Sequence, residues 1–104
     1  MVAKSEDSIN ISRLSDALYT VKDLISNLFF SGIGYLSDQY LKKLDMVFQQ
    51  IVKLKHSRLA ISLRYIRVEF SRYIDKPKQF SIERLIFFLN QAWLITIRSL
   101  SLIE

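Results

Sequence analysis

Apolar and polar residues alternate along this chain at helical spacing, in four successive runs separated by short polar breaks. In the first run Leu14, Ala17, Leu18, Val21, Leu24, Ile25 and Leu28 recur three and four residues apart and so share one helical face. Arg13, Asp16, Lys22, Asp23 and Asn27 fall on the other side. Asn10 or Ser12 offers a capping oxygen, and Gly32 tolerates the positive φ of a helix stop, which predicts a helix over about 10–31. Residues 1–8 are polar and are expected to fray. Gly32-Ile33-Gly34 then reads as a helix–helix turn.

Ser37 followed by Asp38 is a helix start, a capping hydroxyl ahead of an acid near the positive end of the helix dipole. Leu41, Leu44, Phe48, Ile51 and Leu54 form the inward stripe of a helix over about 38–55, with Val47 and Val52 at its edges. The third helix, about 58–74 with Ser57 as its expected cap, has one narrow face: Leu59, Leu63, Ile66, Phe70, Tyr73 and Ile74. Arg58, Tyr65 and Arg72 share the opposite side, and Ile61 and Val68 make a small second apolar patch.

Asp75-Lys76-Pro77-Lys78-Gln79 breaks the pattern, because proline lacks the amide donor and disfavours helix before it. A fourth helix follows over about 81–101, with Ser81 as cap and Phe80 and Leu85 placed as a hydrophobic staple. Its inward face is Ile82, Leu85, Ile86, Leu89, Ala92, Trp93, Ile97 and Leu100. Phe87, Phe88, Leu94 and Ile95 point elsewhere and are equally apolar, more than one inward face requires. Together with Ile61 and Val68 they are the expected contacts to another subunit. Residues 97–102 also alternate with period two, which leaves a short terminal strand as the alternative there.

Composition supports the helical reading. Half of the 104 residues are hydrophobic, while two glycines and one proline are too few for the turns of an all-β fold. The expectation is one all-α domain, 1–104, an antiparallel bundle of about four helices. The chain has no cysteine, which removes disulfides and thiolate metal sites and fits a cytoplasmic setting. MVAKSEDS lacks the apolar run of a signal peptide. Glu83, Arg84, Asn90 and Gln91 interrupt the most apolar window and argue against a membrane span of about 20 apolar residues.

Charge changes the picture more. Of the net +5, residues 1–36 carry −1, residues 37–80 carry +6 and residues 81–104 are balanced. A one-sided basic region points to a polyanionic partner. Lys53, Lys55, Arg58, Arg64, Arg67, Arg72, Lys76 and Lys78, with Tyr65 as a flat side chain for stacking, are the candidate nucleic-acid contacts. No helix-turn-helix, zinc-finger or RNA-recognition signature accompanies them, so the expected binding is to backbone rather than to sequence. The single histidine, His56, stands among cations, and no HExxH or paired-carboxylate motif occurs. Catalysis, a metal and a cofactor are therefore not expected.

In size, basic charge and all-helical pattern the chain resembles the small subunit of type I CRISPR effector complexes, which serve antiviral defence. That resemblance implies a non-catalytic subunit of a ribonucleoprotein assembly. Copies of it would stand side by side and hold the displaced single DNA strand, or the guide RNA, along basic helices. A second resemblance rests on the spacing Leu24, Leu28, Gly32, Leu36-Ser37, Leu41, Leu44, then Arg58-Leu59-Ala60, Leu63, Phe80-Ser81, Glu83-Arg84-Leu85 and Trp93-Leu94. It is similar to the helical segment accompanying bacterial SWIM zinc fingers. Without the zinc ligands it implies a purely structural protein-interaction module.

Overall fold

The computed structural model describes residues 2–103, and the side chains of residues 11–34 and 36–103. Within them the chain forms four α-helices: α1 Val2–Ser31, α2 Asp38–Lys53, α3 Ser57–Asp75 and α4 Ile82–Ile103. A single 3₁₀ turn, Ile33–Tyr35, joins the first pair. No strand occurs among the described residues, and α4 runs unbroken through the stretch where period-two alternation had left a strand open.

The helices close in a ring, α1 on α2, α2 on α3, α3 on α4 and α4 back on α1. Cross-helix contacts fix consecutive helices as antiparallel. Tyr40 of α2 meets Leu24 of α1, Arg67 of α3 meets Asp45 of α2, and Tyr65 of α3 meets Phe88 of α4. Apolar stripes from all four helices meet inside, with Leu18, Ile51, Leu59, Phe70, Leu85 and Ala92 almost fully enclosed.

Local signals account for most helix ends. Ser37 Oγ accepts from the Tyr40 amide at 3.1 Å, and Ser81 Oγ accepts from the Arg84 amide at 3.2 Å, so both expected caps are in place. Gly32 takes φ 75° as α1 stops, a value that glycine adopts without a Cβ clash.

Four expectations are corrected. α1 starts at Val2 rather than near residue 10, since nothing from Val2 to Ile9 is a glycine or proline that would stop it. Asn10 and Ser12 therefore lie inside the helix, two turns or more from its start. The fraying expected of residues 1–8 concerns positions whose side chains are outside the described set. His56, not Ser57, stands at the start of α3, and Ser57 is its first helical residue. Ile82 and Ile86 are half exposed, at 50% and 45%, because the α4 face that closes the bundle is Leu85, Leu89, Ala92, Thr96 and Leu100. Tyr73 and Ile74 are likewise exposed at the end of α3, beyond the reach of the other stripes.

By length and composition alone, α4 is long and apolar enough to cross a membrane. In the bundle, 22% of its most apolar window is buried, so much of that apolar surface faces outward.

Candidate nucleic-acid interface

The candidate surface is built around the corner between α2 and α3. The Lys55 amide donates to the Val52 carbonyl at 3.0 Å and the His56 amide to the Ile51 carbonyl at 3.2 Å. These two bonds form the paired closure of a helix that ends in a left-handed residue. That residue is Lys55, at φ 61°, a position usually given to glycine because a Cβ crowds the neighbouring carbonyl. The reversal turns the chain straight into α3, and His56 Nε2 anchors the corner to α4 through a 2.8 Å hydrogen bond with Ser99 Oγ.

Three shallow grooves meet at this corner, and each has a cation on its wall. Lys53 lines the groove between α1 and α2 with Arg13 and Asp16. Lys55 and Arg64 line the α2–α3 groove with Ser57. Arg58 lines the α3–α4 groove, facing Arg98. Lys53, Lys55, Arg58 and Arg64 are all exposed, and none forms an ion pair among the described residues. Tyr65, half exposed one turn beyond Ile61, presents its ring on the same side of α3 as Arg58.

The other predicted cations are placed differently. Arg67 Nε donates to Asp45 Oδ1 at 3.0 Å and its Nη1 to Ser71 Oγ at 2.8 Å, so its charge is already spent in joining α2 to α3. Arg72 Nη1 donates to Glu69 Oε2 at 2.6 Å. Lys76 and Lys78 are exposed in the α3–α4 turn, about 27 Å along α3 from Arg58. The eight residues thus divide into a four-cation corner, two arginines held in ion pairs, and two lysines at the opposite end of the bundle. Arg98 joins the corner without having been singled out in the sequence. Its i, i+4 and i, i+7 neighbours in α4 gave no basic run that would have marked it.

Glu69 was also missed, and it is the most constrained charge among the described residues. Its side chain lies on α3 at 2% exposure. Oε1 accepts from the Ser81 amide at 3.2 Å, and Oε2 accepts from Arg84 Nε at 3.2 Å as well as from Arg72. Burial pushes its pKa up, but the Ser81 amide, Arg84 and Arg72 together outweigh this and hold it below the ordinary 4.5. This group fastens the α3–α4 turn.

Of the expected subunit contacts, Ile61, Val68, Phe87 and Leu94 are exposed, while Phe88 and Ile95 are half-buried against the bundle. Among the described residues, no group of three or more His, Cys, Asp or Glu side chains stands close enough to hold a metal ion. No protein-family model matches the chain, and neither does any curated protein or solved structure.

Proposed function

We propose that the chain is a non-catalytic helical subunit of a nucleoprotein assembly that holds a single-stranded nucleic acid by its backbone. The reading has the small subunit of type I CRISPR effectors as its nearest functional analogue and a cytoplasmic setting. Its single carrying observation is the corner of Lys53, Lys55, Arg58 and Arg64: four exposed cations on three adjoining grooves, free of ion pairs among the described residues, beside the exposed Tyr65 ring. Phosphates gain from such cations by releasing their condensed counterions, and a flat ring accepts a base of any identity. Both features favour binding without sequence preference. Copies standing side by side would add their corners along one strand, so that weak single contacts become tight.

The test is fluorescence anisotropy with unrelated labelled single strands across a salt series. The expected result is similar affinity for all strands, falling steeply with salt, and abolished by the triple change Lys55→Glu, Arg58→Glu, Arg64→Glu. Arg67→Glu is a poor probe because it would set a second acid beside Asp45. Salt-independent binding, or none by the wild-type protein crosslinked into oligomers, overturns the reading. It would then favour the structural interaction module, which the exposed apolar residues of α3 and α4 support.

A further inference from the structure

The outer side of the α3–α4 pair carries apolar surface that closing the bundle does not use. Ile61 and Phe87 are each 56% exposed and Leu94 is 54% exposed. These residues are contiguous. Ile61, Leu94 and Ile95 line one groove of about 310 Å³ between the two helices. Further along the same seam, Tyr65 stacks on Phe88 with ring centroids 4.7 Å apart and planes 12° apart, and Phe87 meets Phe88 edge-on at 5.3 Å. On α3 the seam residues are spaced by four, and on α4 by seven. A third helix laid along the seam presents side chains at that same period.

The seam also has a charged end. Arg58 and Arg98 both line the groove beside Ile61 and Leu94. Neither is in an ion pair among the described residues. The acids on this side lie toward the opposite end: Glu83, exposed one turn before Phe87, and Glu69, whose carboxylate is buried and fully engaged.

We infer that this seam is the docking site of a partner's amphipathic helix with acidic flanks. Its apolar face would lie on Ile61, Tyr65, Phe87 and Leu94, and its carboxylates would meet Arg58 and Arg98, so the helix and a nucleic-acid strand would compete for Arg58 and Tyr65. From Phe87 to Arg98 the seam runs about 16 Å, so a helix of about three turns covers it. A concave seam suits a cylinder rather than a flat lipid surface. A second copy of this chain fits less well, since each copy carries net +5 and brings the same two arginines to the contact.

The probe is a labelled synthetic peptide of about 16 residues, helical, with leucines at heptad spacing and glutamates on both flanks. The control has lysines in place of the glutamates. The acidic peptide is expected to bind the full-length protein and the control to fail. Ile61→Ser and Leu94→Ser, both at exposed positions and neutral in charge, are expected to weaken peptide binding by about tenfold each, as removal of a buried aliphatic anchor does. The same two variants are expected to keep the salt-dependent affinity for single strands, which separates failure here from failure of the nucleic-acid reading. Equal binding of both peptides, no binding at about 1 mM, or indifference to both substitutions overturns the inference. A dimer in analytical ultracentrifugation that Leu94→Ser disperses overturns it too, and gives the seam to a second copy. Preferential binding of anionic vesicles abolished by the same substitutions gives it to a membrane surface.

Discussion

Glu69 on α3 and Arg84 on α4 are joined by a 3.2 Å hydrogen bond across the turn that separates their helices. The same carboxylate takes the Ser81 amide, so one buried side chain holds both the start of α4 and its approach to α3. Glu69→Gln keeps the volume but loses the charge that Arg84 and Arg72 address. Both arginines are partly exposed and recover water, so the expected loss is about 2 kcal/mol rather than the larger cost of stranding a buried cation. Thermal unfolding should show it as a drop in Tm of about 10 °C.

The same group gives the fold an acid limit. Its pKa is held below the ordinary carboxylate value in the folded chain, so the unfolded chain takes up its proton first as pH falls. The stabilisation is therefore complete above the unfolded value of 4.5 and is lost as pH drops through the lower folded value. Urea titrations of wild type and Glu69→Gln should differ most at neutral pH and converge in acid. A constant difference at every pH would mean that Glu69 acts through shape alone.

Lys55 offers a separation of stability from binding. Glycine suits its left-handed backbone better, so Lys55→Gly is expected to stabilise the protein by about 1 kcal/mol. The same change removes one phosphate contact and should lower the slope of log affinity against log salt by about one. A variant that melts higher yet holds nucleic acid less tightly is the expected outcome, read by calorimetry and anisotropy on one preparation.

Tyr40 ties α2 to α1 from within the core, donating from Oη to the Leu24 carbonyl at 2.6 Å while its ring meets Phe70 edge-on. Tyr40→Phe keeps the ring and deletes the donor. A cost of about 1 kcal/mol is expected in chemical denaturation, with an unchanged m-value because the packed surface is the same.

The helices and their inward faces were legible because periodicity reports burial directly: Leu18, Val21, Leu44, Leu63 and Leu89 fell where they were expected. Caps at Ser37 and Ser81 were legible because their signal is local. Thr96 was not, although it is satisfied within α4, its Oγ1 donating to the Ala92 carbonyl at 2.6 Å, and Tyr40 and Glu69 were not because each is met in the core by a partner on another element. For Glu69 that partner is an arginine fifteen positions away. The basic stretch told where charge collects but not which charges are free. Arg67 looks like Arg58 and Arg64 in sequence, and only the position of Asp45 on α2 distinguishes it, whereas the partner of Arg72 is Glu69, one turn back on the same helix.

The ties between α3 and α4 occur at matched depths along an antiparallel pair: His56 with Ser99, Tyr65 with Phe88, Glu69 with Arg84, Tyr73 with Phe80. They connect neighbours in the chain through a short turn, so closing them costs little loop entropy. The C-terminal hairpin is thus the part best able to form before α1 returns across the sequence to complete the ring. Amides of α3 and α4 should accordingly be the last to exchange with deuterated solvent, and those of α1 should open ahead of global unfolding. A nascent chain would then need α4 to have been made before α1 finds a lasting place.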